Sequence, residues 1–248
     1  MPTYEPVTAI LRGLAVLETI AAKGPVAIKD LHAATGLPKS TLVRLIETLI
    51  HAGYVYSTGS EPLYALSARS LTLAGGFDRG RRITSLLGPS LREFQNLTSW
   101  PSDIGIFDRD AMVILETSRP QGSLSINWQV GSRVSATRSA LGRAYLAFQP
   151  ETQLRVILAT ICELTGEPQD PRRYDVMLEE VRRHGRALND QEDRPGIRSL
   201  AAPIFEGAGV VASVNISVVA DAMSLAELDE RYAQPVIDLA RRMSALLG

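Results

Sequence analysis

Residues 36–55, GLPKSTLVRLIETLIHAGYV, constrain the fold more than any other stretch of this 248-residue chain. Gly36-Leu37-Pro38 is a turn signal. At about 100° per residue, Leu42, Leu45, Ile46, Leu49 and Ile50 share one arc of the helix that follows. Ser40, Arg44, Glu47, Thr48 and His51 fall on the other arc. The helix is expected over about residues 38–52, with Gly53 as its stop.

The flanking sequence extends this pattern. Ile10, Leu14, Leu17 and Ala21 recur at helical spacing over residues 8–22, and Lys23-Gly24-Pro25 breaks that helix. VAIKDLHAATG predicts a very short strand and then a two-turn helix closed by Gly36. After Gly53, Tyr54–Ser57 and Leu63–Ser67 form a predicted hairpin around the turn STGSEP. The order helix, short strand, helix, turn, helix, hairpin is that of a winged helix-turn-helix, whose second motif helix enters the DNA major groove.

That assignment gives the polar arc a chemistry. Backbone N–H groups at the start of the helix attract phosphate. Lys39 adds charge, and Ser40 and Thr41 offer hydroxyls. Arg44 has the reach to fork onto a guanine edge, and Glu47 to accept from a cytosine amino group. Arg12, on the first helix, joins these as a DNA-contact candidate. An amphipathic helix with a merely solvated polar face is the competing reading. Residues 1–68 balance Arg12, Lys23, Lys29, Lys39 and Arg44 against Glu5, Glu18, Asp30, Glu47 and Glu61. Because phosphate contacts dominate affinity, a neutral head needs either a dimer or help from Arg69, Arg79, Arg81 and Arg82.

Residues 69–82 are expected to link this domain to a second one over 83–248. Gly75-Gly76 interrupts the linker, and Ile83, Leu86, Leu87, Leu91, Phe94 and Leu97 continue as a helix that Pro89 should break or kink. Beyond Trp100, residues 103–118 form two strands about Arg109-Asp110, and SLSINWQVG alternates like a third. Helices follow on either side of Pro150 and over 172–184. Two apolar strands joined by EGAG precede a final helix bent at Pro235. Hairpin-linked strands with flanking helices predict an α+β domain with an antiparallel sheet.

Composition narrows the function classes. The net charge is −1 and the apolar content 45%, as in an ordinary globular protein. The single cysteine, Cys162, excludes an internal disulfide and is expected to be buried and inert. No secretory leader and no membrane-length apolar run are read, so a cytoplasmic location is expected, with no membrane partner. His32, His51 and His184 lack ligand spacing, so no metal site or cofactor is expected. No nucleophile elbow or phosphate loop occurs, and the acid pairs Glu179-Glu180 and Glu192-Asp193 lie in charged stretches read as solvated, so no enzyme is expected. A hydrolase with a fused small domain and a protein-binding winged module are the alternatives; salt-sensitive duplex binding separates them from a DNA binder.

Four segments, AILRGLAVLETIA, LPKSTLVRLIETLIHAGYV, SALGRAYLAF and RSLAAPIF, resemble the IclR family of bacterial transcription regulators over nearly the whole chain. WPSDIGIFDRDAMVILETSR is similar to the branch that controls phenylpropionate and hydroxyphenylpropionate catabolism. The resemblance implies a winged helix-turn-helix, a linker helix and a GAF-like effector domain. It also implies a homodimer or tetramer, double-stranded operator DNA as partner, and a small organic acid, here aromatic, as effector. The family's effector pocket falls on Ala140, Leu141, Asn189, Ser199, Asn215 and Ser217. Asn189 stands where small-acid binders carry an aspartate, and Asn215 where they carry a serine.

The residues themselves agree in part. Asn215 and Ser217 share one strand face and need partners if buried. Arg138, just ahead of the 139–149 helix, is a candidate carboxylate partner or a surface arginine. Trp100 and Trp128 can stack on an aromatic acid or fill the core. Asp103 is either a pocket acceptor or a strand-end cap.

Overall fold

The structure, a computed structural model, describes residues 4–58, 62–75, 78–119, 128–166 and 171–248. It divides into two compact units, Met1–Asp78 and Arg79–Gly248.

In the first unit, α1 (Thr8–Lys23), α2 (Ile28–Thr35) and α3 (Lys39–His51) enclose a small core of Val16, Ile20, Val26, Leu31, Leu42, Ile46 and Val55. Gly36 adopts φ 68°, the left-handed geometry that ends α2, and its N–H donates to the His32 carbonyl. His32 Nδ1 lies 2.7 Å from the Leu37 carbonyl and fixes the same turn. The hairpin is β1 (Val55–Thr58) with β2 (Leu63–Leu66), paired Val55 to Leu66. The strand expected at 26–28 is a single bridge, Val26 to Tyr64, which ties the hairpin to the start of α2. Part of the hairpin turn, residues 59–61, lies outside the described residues.

One detail of the predicted buried arc is wrong. Leu42 and Ile46 are buried, but Leu45 and Leu49 are half-buried and Ile50 is exposed. The core beneath α3 is too narrow to cover an arc of five side chains. Ile50 is the last residue but one of α3.

After a 3-10 turn at Ala68–Ser70 and a short α4 (Leu71–Ala74), α5 (Asp78–Thr98) runs as one helix through Pro89, without the expected break. Ile83 and Leu87 before the proline and Leu91 and Phe94 after it are buried in one core against the sheet. The sheet contains β3 (Asp103–Asp108), β4 (Ala111–Thr117), β5 (Arg133–Ser135), β6 (Ala187–Asp190), β7 (Ile197–Glu206) and β8 (Gly209–Val219). Its order is β5-β4-β3-β8-β7-β6, with every neighbour antiparallel.

The remaining helices are α6 (Ala140–Leu146), α7 (Glu151–Thr165), α8 (Pro171–His184) and α9 (Leu225–Leu247). The alternation of β8 sets the layers. Ala212, Val214, Ile216 and Val218 point into a core shared with α5 and α9. Ser213, Asn215 and Ser217 point the other way, towards the layer of α6, α7 and α8. α9 is continuous through Pro235 and begins with a capping box between Ser224 and Glu227. Residues 123–127 of the strand expected over 123–131 lie outside the described residues; Trp128 and Gln129 are not in a strand, and β5 begins later.

Candidate functional site

Two places gather the polar residues singled out by sequence. On the first unit, Lys39, Ser40, Arg44 and Glu47 are exposed at the start and outer face of α3, and Thr41 is half-buried beside them. Pro38 occupies the N-cap, so no side chain caps the helix. Its first-turn N–H groups are left for an outside acceptor. Among the described residues, Lys39, Arg44 and Glu47 form no ion pair. Arg12 lies apart from α3 in sequence, yet it joins Thr41, Arg44 and Thr48 along an open cleft of about 580 Å³ between α1 and α3. The rest of that cleft is apolar and includes Ile10, Leu14 and Leu17.

The linker arginines are used differently. Arg69 stacks on Tyr54, with its guanidinium carbon 5.3 Å from the ring centre. Arg82 is held by Glu206 at 2.6 Å and by the Leu247 carbonyl at 2.9 Å, so it braces the second unit. The Arg79 side chain lies outside the described residues.

In the second unit, Ala140, Leu141, Asn189, Ser199, Asn215 and Ser217 line one cavity, together with Ile114, Trp128, Ser139, Asp193 and Arg194. They arrive from α6, β6, β7 and β8. Strand register places Asn189 opposite Ser199, and Ser199 opposite Ser217. The close approach of α6 depends on Gly142, where a Cβ would lie 2.0 Å from the Ala136 carbonyl oxygen. Ser139 caps α6 by accepting from the Gly142 N–H. The cavity holds only about 20 Å³, roughly the room of one water.

Its polar wall is hydrogen-bonded. Asn215 is buried; its Oδ1 accepts from the Asp103 N–H at 2.7 Å, and its Nδ2 donates to Ser217 Oγ at 3.2 Å. Asn189 donates to the Arg138 carbonyl at 2.5 Å. Ser213 Oγ donates to the Leu141 carbonyl, tying β8 to α6. These strand residues are therefore interior groups, not a half-exposed face.

Arg138 contributes its carbonyl here, while the residue itself lines a second, open cleft of about 440 Å³. Trp128 lines both spaces, whereas Trp100 packs against the core of α5 and α9. Asp103 is neither strand-end cap nor cavity lining. It is fully buried, pairs with Arg119 and accepts from Thr117 Oγ1 at 2.7 Å; its Oδ2 has no partner among the described residues.

The charged stretch around Glu192-Asp193 is not simply solvated. Glu192 makes a fork with Arg143, whose side chain is buried and also donates to the Thr137 and Leu188 carbonyls. Asp193 accepts from the Ser135 N–H at 3.1 Å, and burial raises its carboxyl above the usual range against the pull of Arg138, Arg194 and Arg143. The one local signal was the Pro195-Gly196 turn after these residues, which folds them back as a β6–β7 hairpin loop. Cys162 is half-buried rather than buried, because it lies one residue off the buried stripe Leu154, Ile157, Leu158 and Ile161 of α7. No cluster of three potential metal ligands occurs among the described residues.

Known proteins resemble this chain along nearly its whole length. The profile of the IclR helix-turn-helix domain matches residues 9–59, and that of the bacterial transcriptional regulator IclR C-terminal region matches residues 79–245. The chain belongs to the IclR family. It is 28% identical over 241 residues to the Pca regulon regulatory protein of Pseudomonas putida, covering 95% of this chain and 82% of that one. A transcriptional regulator from Rhodococcus sp. RHA1 has a solved structure with a TM-score of 0.69 and 26% identity, covering 98% of both chains. The fold is also that of an IclR homolog from Microbacterium hydrocarbonoxydans solved with 4-hydroxybenzoate, at a TM-score of 0.69, 18% identity and coverage of 96% and 97%. This IclR-family chain is a ligand-responsive transcriptional regulator with a DNA-binding helix-turn-helix. No helix among its described residues is long and apolar enough to cross a membrane.

Proposed function

We propose that the regulator binds its operator as a homodimer, setting the start of α3 into successive major grooves, and that a small aromatic acid in the α6–β8 cavity changes that binding. The observation that carries the DNA half is the exposed, uncapped start of α3, where Lys39 and Arg44 form no ion pair among the described residues, above a buried Leu42 and Ile46. An uncapped helix start with exposed cations supplies what a phosphate or a base edge requires. Arg12, Ser40, Thr41 and Glu47 complete the contact set.

A neutral head needs a second copy, and α1 offers the surface for one. Val7, Ile10, Leu11 and Leu14 are all about half or more exposed along it. An exposed apolar strip of this kind marks an association site, and two heads a helical turn apart would read a pseudo-palindrome.

The aromatic acid is supported by Trp128 beside the cavity's hydrogen-bonding groups Asn189, Ser199, Asn215 and Ser217 and by the 4-hydroxybenzoate carried by the Microbacterium homolog. The ligand would act by binding one arrangement of the heads better than another. Arg44→Ala tests the DNA assignment. Operator binding should weaken by about 1–3 kcal/mol with relaxed preference at one base pair. Unchanged affinity and sequence preference would remove Arg44 as a base reader.

A further inference from the structure

Val43 of α3 belongs neither to the core of the head nor to the cleft between α1 and α3. Its side chain is 38% exposed. It is not among the buried core residues or the half-buried ones packed on them, although Leu45 and Leu49 of the same helix are. From α3 the cleft takes Thr41, Arg44, Leu45, Thr48 and Leu49, and not Val43. The apolar strip of α1 therefore gives this valine no role.

A single exposed valine signals nothing by itself, but its position does. At about 100° per residue, the positions of Lys39, Ser40, Val43, Arg44 and Glu47 fill one arc of about 140° over residues 39–47, and all five residues are exposed. Val43 and Glu47 stand inside that arc, with Lys39 and Arg44 at its two rims. The other four residues are the polar groups proposed to meet DNA. A groove that reaches Lys39 on one rim and Arg44 on the other passes over Val43.

The chemistry of the groove then limits what Val43 can meet. The major-groove edge of the base pairs presents donors, acceptors and the C5-methyl group of thymine. Placed against a donor or an acceptor, Val43 would strip that group of water and return no hydrogen bond. Placed against the methyl group, it removes two apolar surfaces from water together. Its β-branch holds one strongly preferred rotamer in a helix, so the contact orders little that was free before.

Resting on the reading of α3 as the DNA-reading helix, we infer that Val43 is a specificity-determining residue that reads the methyl group of one thymine in each half-site. That thymine lies beside the base pair met by Arg44, because the two residues are adjacent on the helix. Arg44 and Glu47 select by hydrogen bonding, whereas Val43 selects by shape and hydration.

Deoxyuridine separates the two kinds of selection, since it keeps every hydrogen-bonding group of thymine and lacks only the methyl. An operator is selected from random-sequence duplex DNA with the full chain, and each of its thymines is then replaced in turn by deoxyuridine. For the wild type, one thymine in each half-site should be sensitive, with loss of its methyl weakening binding about fourfold. Val43→Ala should bind the thymine and deoxyuridine operators equally at that position. Arg44→Ala should bind more weakly overall and keep the wild-type ratio between them. Alanine favours a helix more than valine does, so Val43→Ala should melt no lower than the wild type. A merely structural role would weaken both operators together and leave their ratio intact. The inference is overturned, with the reading of α3 left standing, if the selected operator has no methyl-sensitive thymine or if the wild-type ratio survives Val43→Ala. If no sequence is enriched, the reading of α3 falls and the inference falls with it.

Discussion

The reading head and the sensing cavity use polar residues in opposite ways. On α3, Lys39, Arg44 and Glu47 stand exposed, with no ion pair among the described residues, above a core of a few apolar side chains. Around the cavity, Asn189, Asn215 and Ser213 are buried and hydrogen-bonded to neighbouring elements. Free charge at a surface is stabilised by water and is available to a charged partner. Buried neutral groups with partners hold a shape, and they reject whatever cannot replace those partners. The first arrangement suits a surface that meets a polyanion, and the second suits a pocket that must discriminate among small molecules.

The contrast can be broken from either side. The largest effect is expected at Leu42, which is fully buried in the small head core. Leu42→Ala should cost roughly 2–5 kcal/mol. It should melt the head and abolish operator binding, while ligand binding to the second unit persists in calorimetry. Gly142→Ala does the reverse. Its Cβ would meet the Ala136 carbonyl at 2.0 Å, and overpacking of this kind costs roughly 1–3 kcal/mol or more. The melting temperature of the second unit should fall and the cavity ligand be lost, with the isolated head-type helical signal retained in circular dichroism.

Asn215→Ala sharpens the comparison more gently. It leaves the buried Asp103 N–H without its acceptor, a loss of roughly 1–3 kcal/mol. Arg44→Ala, whose side chain forms no ion pair among the described residues, should leave the melting temperature unmoved.

The head was legible in the sequence because its signals are local. Helical spacing, Gly36, Pro38 and Gly53 each act within one turn of the element they mark. The two short strands β5 and β6 were not legible. Arg133–Ser135 and Ala187–Asp190 show no alternation long enough to detect, and they are strands because β4 and β7 pair with them. Pro89 suggested a break or kink, but no break occurs: Leu87 and Leu91 flank the proline and are both buried in the core against the sheet. In the cavity, the family resemblance pointed to six residues that no spacing unites, since they come from four elements. Asp193 and Arg194 were hidden among solvated-looking charges because only the β6–β7 hairpin turns them inward.

The salt dependence of duplex binding by the wild type and by Lys39→Ala, on an operator selected from random-sequence DNA, tests the central claim most directly. A head that places the start of α3 against phosphates should enrich a pseudo-palindromic site. Lys39→Ala should then lower the slope of log affinity against log salt by about one per head, close to two for a dimer. No enrichment of any sequence, or a slope identical in the two proteins, would contradict the account of α3 as the DNA-reading element.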